Sequence, residues 1–250
     1  PVLAFSVKER AWIKRNPVIR YGGERDWAPY DFVDRNGAHA GLSRDMLQLI
    51  GQYTGLTFDA EIDDWTHLLQ KIRQRKIDLL PALYYSEERA GYLLFTEPYQ
   101  WMLDYFFIHE DVQAKSLADL AGKTIAIPRG FLHADTIKKM FSELNIFEAE
   151  DLMGALQSVI ERKADLLIDA HSVITYWLKR NAITTIRPFK VLPPGEAQQL
   201  HMAVRKDLPE LHSILNKALA AIPEQEKQQL QDKWFGAGFK GRTVAVTEDE

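Results

Sequence analysis

Apolar positions along the chain alternate between two rhythms. VIRYG (18–22), LTFDAEI (56–62) and IDLLPAL (77–83) are short apolar or alternating runs that read as strands. Between them, SRDMLQLIGQYTG (43–55) and WTHLLQKIRQRK (65–76) space their apolar residues three and four apart, with Leu68, Leu69 and Ile72 on one face and Gly55 closing the first helix. The second half repeats the scheme: TIAIPRG (124–130) as a strand into a glycine loop, ADTIKKMFSELN (134–145) and MGALQSVIERK (153–163) as helices, ADLLIDA (164–170) as a strand. Alternation of this kind predicts an α/β protein.

One echo organises the halves. RKIDLL (75–80) returns as RKADLL (162–167), with Leu69 matched by Leu156, in the same helix-to-strand context. This predicts two similar α/β units, by internal duplication or because two such turns solve the same problem. YFFIHED (105–111) and LHMAVRKD (200–207) read as strands that leave and re-enter the first unit. The expected division is a lead-in helix at 1–17, lobe I at 18–108 and 203–237, and lobe II at 109–202. Segment 208–222 and the stretch after Pro223 read as helices closing on lobe I.

Composition narrows the classes. The 250 residues are 46% hydrophobic and 26% charged, ordinary for a globular chain that buries a full core. A net charge of -4 argues against a nucleic-acid partner. No apolar run has the length of a membrane span. Absence of cysteine excludes disulfides and thiolate metal sites, and the seven histidines show no H-x-x-x-H or His/Asp metal spacing, so neither metal nor cofactor is expected. Ser6 and Glu9 form a capping-box pair ahead of a helix that Pro17 stops, and Thr247 and Glu250 repeat the pair at the end of the chain.

The phrases RDWAPYDFVDRNGAHAGLSRDMLQLIGQYTG and DLLPALYYSEERAGYLLFTEPY resemble the amino-acid type of periplasmic solute-binding protein, family 3, the Venus-flytrap or type II periplasmic-binding fold. Trp27, Ala28, Pro29, Tyr30, Asn36, Gly37, Gly41 and Asp45 match its first phrase. Ser86, Arg89, Phe95, Thr96, Pro98 and Tyr99 match its second. The lead-in SVKERAWIKRNPVIRYG is similar to the periplasmic parts of BvgS/EvgS-type sensor histidine kinases, in which flytraps often stand in tandem. Residues 238–250 are therefore expected to be a linker and the start of a second flytrap.

The resemblance implies a two-lobed fold with two crossing strands and a small carboxylate or amino acid bound between the lobes. Arg89 would hold a carboxylate, since a guanidinium offers a planar fork to two oxygens. Ser86 and the backbone N–H of Tyr84 would assist it, Trp27 and Trp65 would wall the ligand, and Glu24 would meet a cationic group. The second lobe departs from the family: Arg129, Gly130, Phe131, Leu132 and His133 replace its hydroxyl loop, and its ammonium-binding Asp aligns with Ala170, beside Asp169. Arg129, Phe131 and Asp169 are the candidates there. The expected role is a periplasmic sensor domain rather than an enzyme, with a ligand-silent mechanical module or a transport receptor as alternatives. An enzymatic reading would need a proton-moving acid, and only Asp169 and Glu24 offer one.

Overall fold

A computed structural model describes residues 3–195 and 198–236. The chain opens with α1 (Val7–Arg15), β1 (Val18–Gly23), β2 (Asp26–Trp27), β3 (Asp31–Val33), β4 (His39–Ala40), α2 (Leu42–Thr54), β5 (Thr57–Ile62) and α3 (Trp65–Arg73). It continues with β6 (Leu79–Tyr84), α4 (Glu87–Ala90), β7 (Leu93–Phe95), β8 (Gln100–Met102), β9 (Asp104–His109), β10 (Thr124–Pro128), α5 (His133–Met140) and β11 (Asn145–Ala149). Last come α6 (Leu152–Ile160), β12 (Leu166–Ala170), α7 (His171–Arg180), β13 (Ile186–Val191), β14 (Gln198–Arg205), α8 (Pro209–Ala221) and α9 (Glu224–Phe235).

The described residues form two compact units, one of 3–25, 29–101 and 199–236, the other of 26–28, 102–195 and 198. The first holds a sheet in the order β5-β1-β6-β14-β7, with β8 also on β14. The second holds β11-β10-β12-β9-β13. In each, the first three strands run parallel and the strand arriving from elsewhere in the chain adds antiparallel, β14 on β6 and β9 on β12. Trp12, Tyr21, Met46, Met202, Leu211 and Ile214 share the first core, and Phe106, Ile108, Ile125, Ile137, Leu166 and Ile168 share the second.

The chain passes between units earlier than its charged strand ends suggest. All of β9 pairs within the second sheet, from Asp104 opposite Ala170 to Ile108 opposite Leu166, so the first unit stops at Trp101 rather than 108. Leu200 already pairs with Tyr84 of β6, so the return falls at 199 rather than 203. A charge marks where a strand reaches water, whereas backbone pairing decides which sheet it joins. The helix expected over 134–145 also ends early, at Met140. Phe141 turns its ring edge-on to Phe106 at 5.4 Å, and Asn145 starts β11 opposite Thr124.

The RK-x-DLL echo has a structural counterpart. Arg75 and Arg162 both take the left-handed conformation, at φ 60° and 61°. Around each the same pair of backbone bonds closes the preceding helix: Lys76 N–H to Lys71 O and Arg75 N–H to Ile72 O, then Lys163 N–H to Ser158 O and Arg162 N–H to Val159 O. This is the Schellman arrangement. The Asp that follows pins the neighbouring strand, Asp78 accepting from Arg20 N–H at 3.0 Å and Asp165 from Thr124 N–H at 2.8 Å. The repeated residues are those that stop a helix and register the next strand.

The lead-in helix belongs to the first unit. Ser6 Oγ accepts from Glu9 N–H at 3.1 Å, and Glu9 Oε2 accepts from Ser6 N–H at 2.7 Å. Glu9 also accepts from Lys217 of α8 at 2.7 Å, so the same carboxylate caps one helix and fastens it to another. Burial works to raise its pKa, but the bonds from Lys217, Ser213 and Ser6 N–H outweigh that and hold it at about 2. Ser6→Ala is expected to destabilise by about 1 kcal/mol, read as a lowered urea midpoint at unchanged slope. The second Ser/Thr-x-x-Glu pair, at Thr247, lies outside the described residues.

Candidate functional site

Parallel strands direct their carboxyl ends to one edge of a sheet, and the loops there are where α/β folds place ligands. In the first unit Glu24 follows β1, Trp65 follows β5, and Tyr84, Ser86 and Arg89 end or follow β6. Five of the nine candidates thus share one sheet edge.

Arg89 sits at the centre of this group. Ser86 caps α4 by accepting Arg89 N–H at 3.1 Å, and that short turn directs the guanidinium inward. Nη1 donates to the Tyr84 carbonyl at 3.0 Å, and the guanidinium carbon lies 5.2 Å from the centroid of the Trp65 ring. Arg89 is only 6% exposed, which rules out a solvated residue on a helix surface; Glu88 bridges to Arg73 instead. Burial lowers the Arg89 pKa, against the opposing charges of Tyr92, Glu88 and Glu24. A buried guanidinium on an aromatic face suits a planar anion.

Glu24 is buried as well, contrary to the common fate of a loop acid. Its backbone N–H donates to Asp31 Oδ1 at 2.9 Å. Asp31 in turn contacts His39 Nε2, and His39 Nδ1 meets Tyr21 Oη at 2.7 Å. This buried Tyr21–His39–Asp31 relay, which no local motif announces, fixes the turn that carries Glu24. Gly23 permits it, because a Cβ there would stand 2.6 Å from the imidazole.

The second unit holds the remaining candidates at the carboxyl ends of its own strands. Asp26 Oδ2 accepts from Met153 N–H at the start of α6, and Trp177 Nε1 donates to the Asp26 carbonyl at 2.6 Å. With its neighbour so held, Trp27 directs its indole N–H to both oxygens of Asp169, each at 3.2 Å. Asp169 is fully buried at the end of β12 and also accepts Ala170 N–H at 2.7 Å. Its pKa is pushed up to about 7, chiefly by burial; His133 opposes the rise, Asp104 adds to it, and Ala170 N–H and Trp27 hold it back. Arg129 is exposed and engaged with Glu148 at 2.9 Å. Phe131 packs against the second core.

Trp27 therefore groups with Asp169, and Arg89 with Trp65, Tyr84 and Ser86. Asp104 was no candidate from sequence, and His133 entered only as the last residue of the loop after β10. Asp104 at the start of β9, His133 in the first turn of α5 and Asp169 converge with their ligand atoms within 4.8 Å of one another. Three remote segments carry them, so no spacing could reveal the set. Another His/Asp group, Asp63, Asp64 and His67, is partly exposed and already neutralised by Lys71 at 2.8 Å and Arg25 at 3.0 Å.

Residues 19–237 match the bacterial extracellular solute-binding proteins, family 3. The virulence sensor protein BvgS of Bordetella pertussis is 27% identical over 251 residues, covering 99% of this chain and 20% of the sensor. The ABC transporter arginine-binding protein 1 of Escherichia coli K12 is 26% identical over 227 residues, covering 87% of this chain and 90% of that protein. The crystal structure of the B. pertussis BvgS periplasmic domain superposes with a TM-score of 0.86 at 25% identity, over 96% of this chain and 47% of that one. Among the described residues no helix is long and apolar enough to cross a membrane. The chain thus spans a fifth of the sensor's length and nearly all of the transport receptor's, has the type II periplasmic-binding (Venus-flytrap) fold, and belongs to the bacterial extracellular solute-binding proteins, family 3.

Proposed function

We propose that this chain is a periplasmic ligand-sensing domain of a membrane-attached sensor histidine kinase, and that it binds a small carboxylate or amino acid through Arg89. The observation that carries the reading is the Arg89 guanidinium, 6% exposed at the carboxyl edge of a parallel sheet and laid on Trp65. Burying a cation is costly, and a ligand carboxylate offsets the cost through two charge-assisted hydrogen bonds. Trp65 supplies the apolar wall, Ser86 and Tyr84 hold the turn, and Glu24 biases the pocket toward a ligand with a positive group. Binding shifts the equilibrium between arrangements of the two units by the difference in affinity for each, and this shift is the signal. The likeness to a virulence sensor along 99% of the chain supports a sensor role. An adjacent flytrap in the same polypeptide and a second copy of the sensor are its partners on this reading.

A second reading is a ligand-silent module that transmits motion mechanically. It is favoured by the second unit, where Arg129 is engaged by Glu148 and Asp169 by Trp27. Thermal melting against amino acids, dicarboxylates and aromatic acids separates the two. The sensor reading expects a selective rise of the midpoint, worth about 2.7 kcal/mol at ligand near 100 times Kd, and no rise in a folded Arg89→Ala protein. A flat panel supports the silent module, and a rise that survives Arg89→Ala removes Arg89 from the site.

A further inference from the structure

We propose that Asp104, His133 and Asp169 form a binding site for a divalent transition-metal ion of the zinc class inside the second unit. The three side chains come from a strand start, a helix start and a strand end, and each offers one ligand atom within 4.8 Å of the others. His133 Nε2 and Asp104 Oδ2 are 3.0 Å apart. Two ligands on one tetrahedral ion, each at about 2.0–2.2 Å, stand about 3.3–3.6 Å apart, so an ion entering here parts this pair by only a few tenths of an ångström.

Charge points the same way. Two carboxylates and one imidazole share a space in which none is more than 5% exposed. Asp104 and Asp169 thus stand close enough to repel each other, with the His133 imidazole between these two acids and in reach of both. Like charges buried together need a proton or a cation between them. A divalent ion neutralises both carboxylates and leaves the imidazole neutral, its ligand form.

The donor set selects the class of ion. One nitrogen and two carboxylate oxygens suit zinc, manganese or ferrous iron, whereas calcium asks for six to eight oxygens. A ligating carboxylate also needs orienting bonds. Asp169 has two, from Trp27 Nε1 and Ala170 N–H. This inference stands apart from the Arg89 reading, since it uses none of its residues.

The test is equilibrium dialysis of the chelator-stripped chain against zinc at pH 7.5, with His67→Ala as a control for the other His/Asp group. One zinc per chain is expected, unchanged in His67→Ala and weakened about tenfold or more in Asp104→Asn and in His133→Gln. No retained zinc, or retention lost only in His67→Ala, overturns the proposal. Should the core variants fail to fold by circular dichroism, zinc-soaked crystals of the unsubstituted chain decide. An anomalous peak among Asp104, His133 and Asp169 supports the site, and its absence there contradicts it.

Discussion

Gly41→Ala is expected to cost at least about 3 kcal/mol, a large share of a typical domain's 5–15 kcal/mol stability. Gly41 precedes α2 at φ 123°, and a Cβ added there would lie 2.3 Å from the Tyr30 carbonyl oxygen and 2.9 Å from Asp31 N. Those neighbours are backbone, which cannot swing aside. The same backbone is tied to the helix start, because Leu42 N–H donates to Pro29 O, Ser43 N–H donates to Tyr30 O, and Ser43 Oγ donates to Tyr30 O at 2.7 Å. The chain after Trp27 is thus held against α2 by an approach that only glycine allows, which gives the Ala-Pro-Tyr and Gly-Leu phrases a common cause. Gly37→Ala is the internal control. Gly37 is also left-handed, at φ 78°, but a Cβ there meets nothing within 4 Å, so only the conformational cost of about 1 kcal/mol applies. Denaturant midpoints of the two variants check this, and a Gly41→Ala shift no larger than that of Gly37→Ala would sink the argument.

The second large effect concerns Asp169. Its carboxyl is raised from 3.8 to about 7 in the folded chain, so folding penalises its ionised form. Between these values the native state holds more protons than the unfolded one, and stability falls as pH rises. The penalty is absent below about pH 4, grows through the interval and is complete above about pH 7, where it is on the order of 4 kcal/mol. The groups facing Asp169 are Asp104, His133, the Trp27 indole and Ala170 N–H. In Asp169→Asn the ionisation is gone, so the metal-free variant is expected to lose the pH 5 to 8 slope and to be the more stable protein at pH 8. Chemical denaturation across that range measures it. An unchanged slope in the variant would assign the effect to other groups.

Much of the scaffold was legible because its signals are local. The Ser6–Glu9 box, the left-handed Gly55 that stops α2 and the RK-x-DLL turns each place their whole mechanism within a few residues. Arg89 was legible as a candidate through its motif, and its burial is consistent with the part proposed for it. What stayed hidden depends on contacts between distant segments. Nothing near Glu24 in the chain announces Asp31 and His39 as its support, and nothing near Asp169 announces Asp104 and His133. Arg129 shows the converse. Its place between a strand and a glycine invited an anion-binding role, but a neighbouring strand end brings Glu148 to it. The end of the helix at Met140 was missed for the same reason, since Phe141 leaves the helix to meet Phe106 across the core.

The central claim is that Arg89 holds the carboxylate of a small ligand. Isothermal titration of the best panel compound into the unsubstituted chain and into Arg89→Ala tests it most directly, with circular dichroism to verify that both are folded. Saturable binding near one ligand per chain is expected, lost in the variant, and lost equally when the ligand's carboxylate is replaced by its amide. Undiminished binding to a folded Arg89→Ala protein, or to the amide, would contradict it.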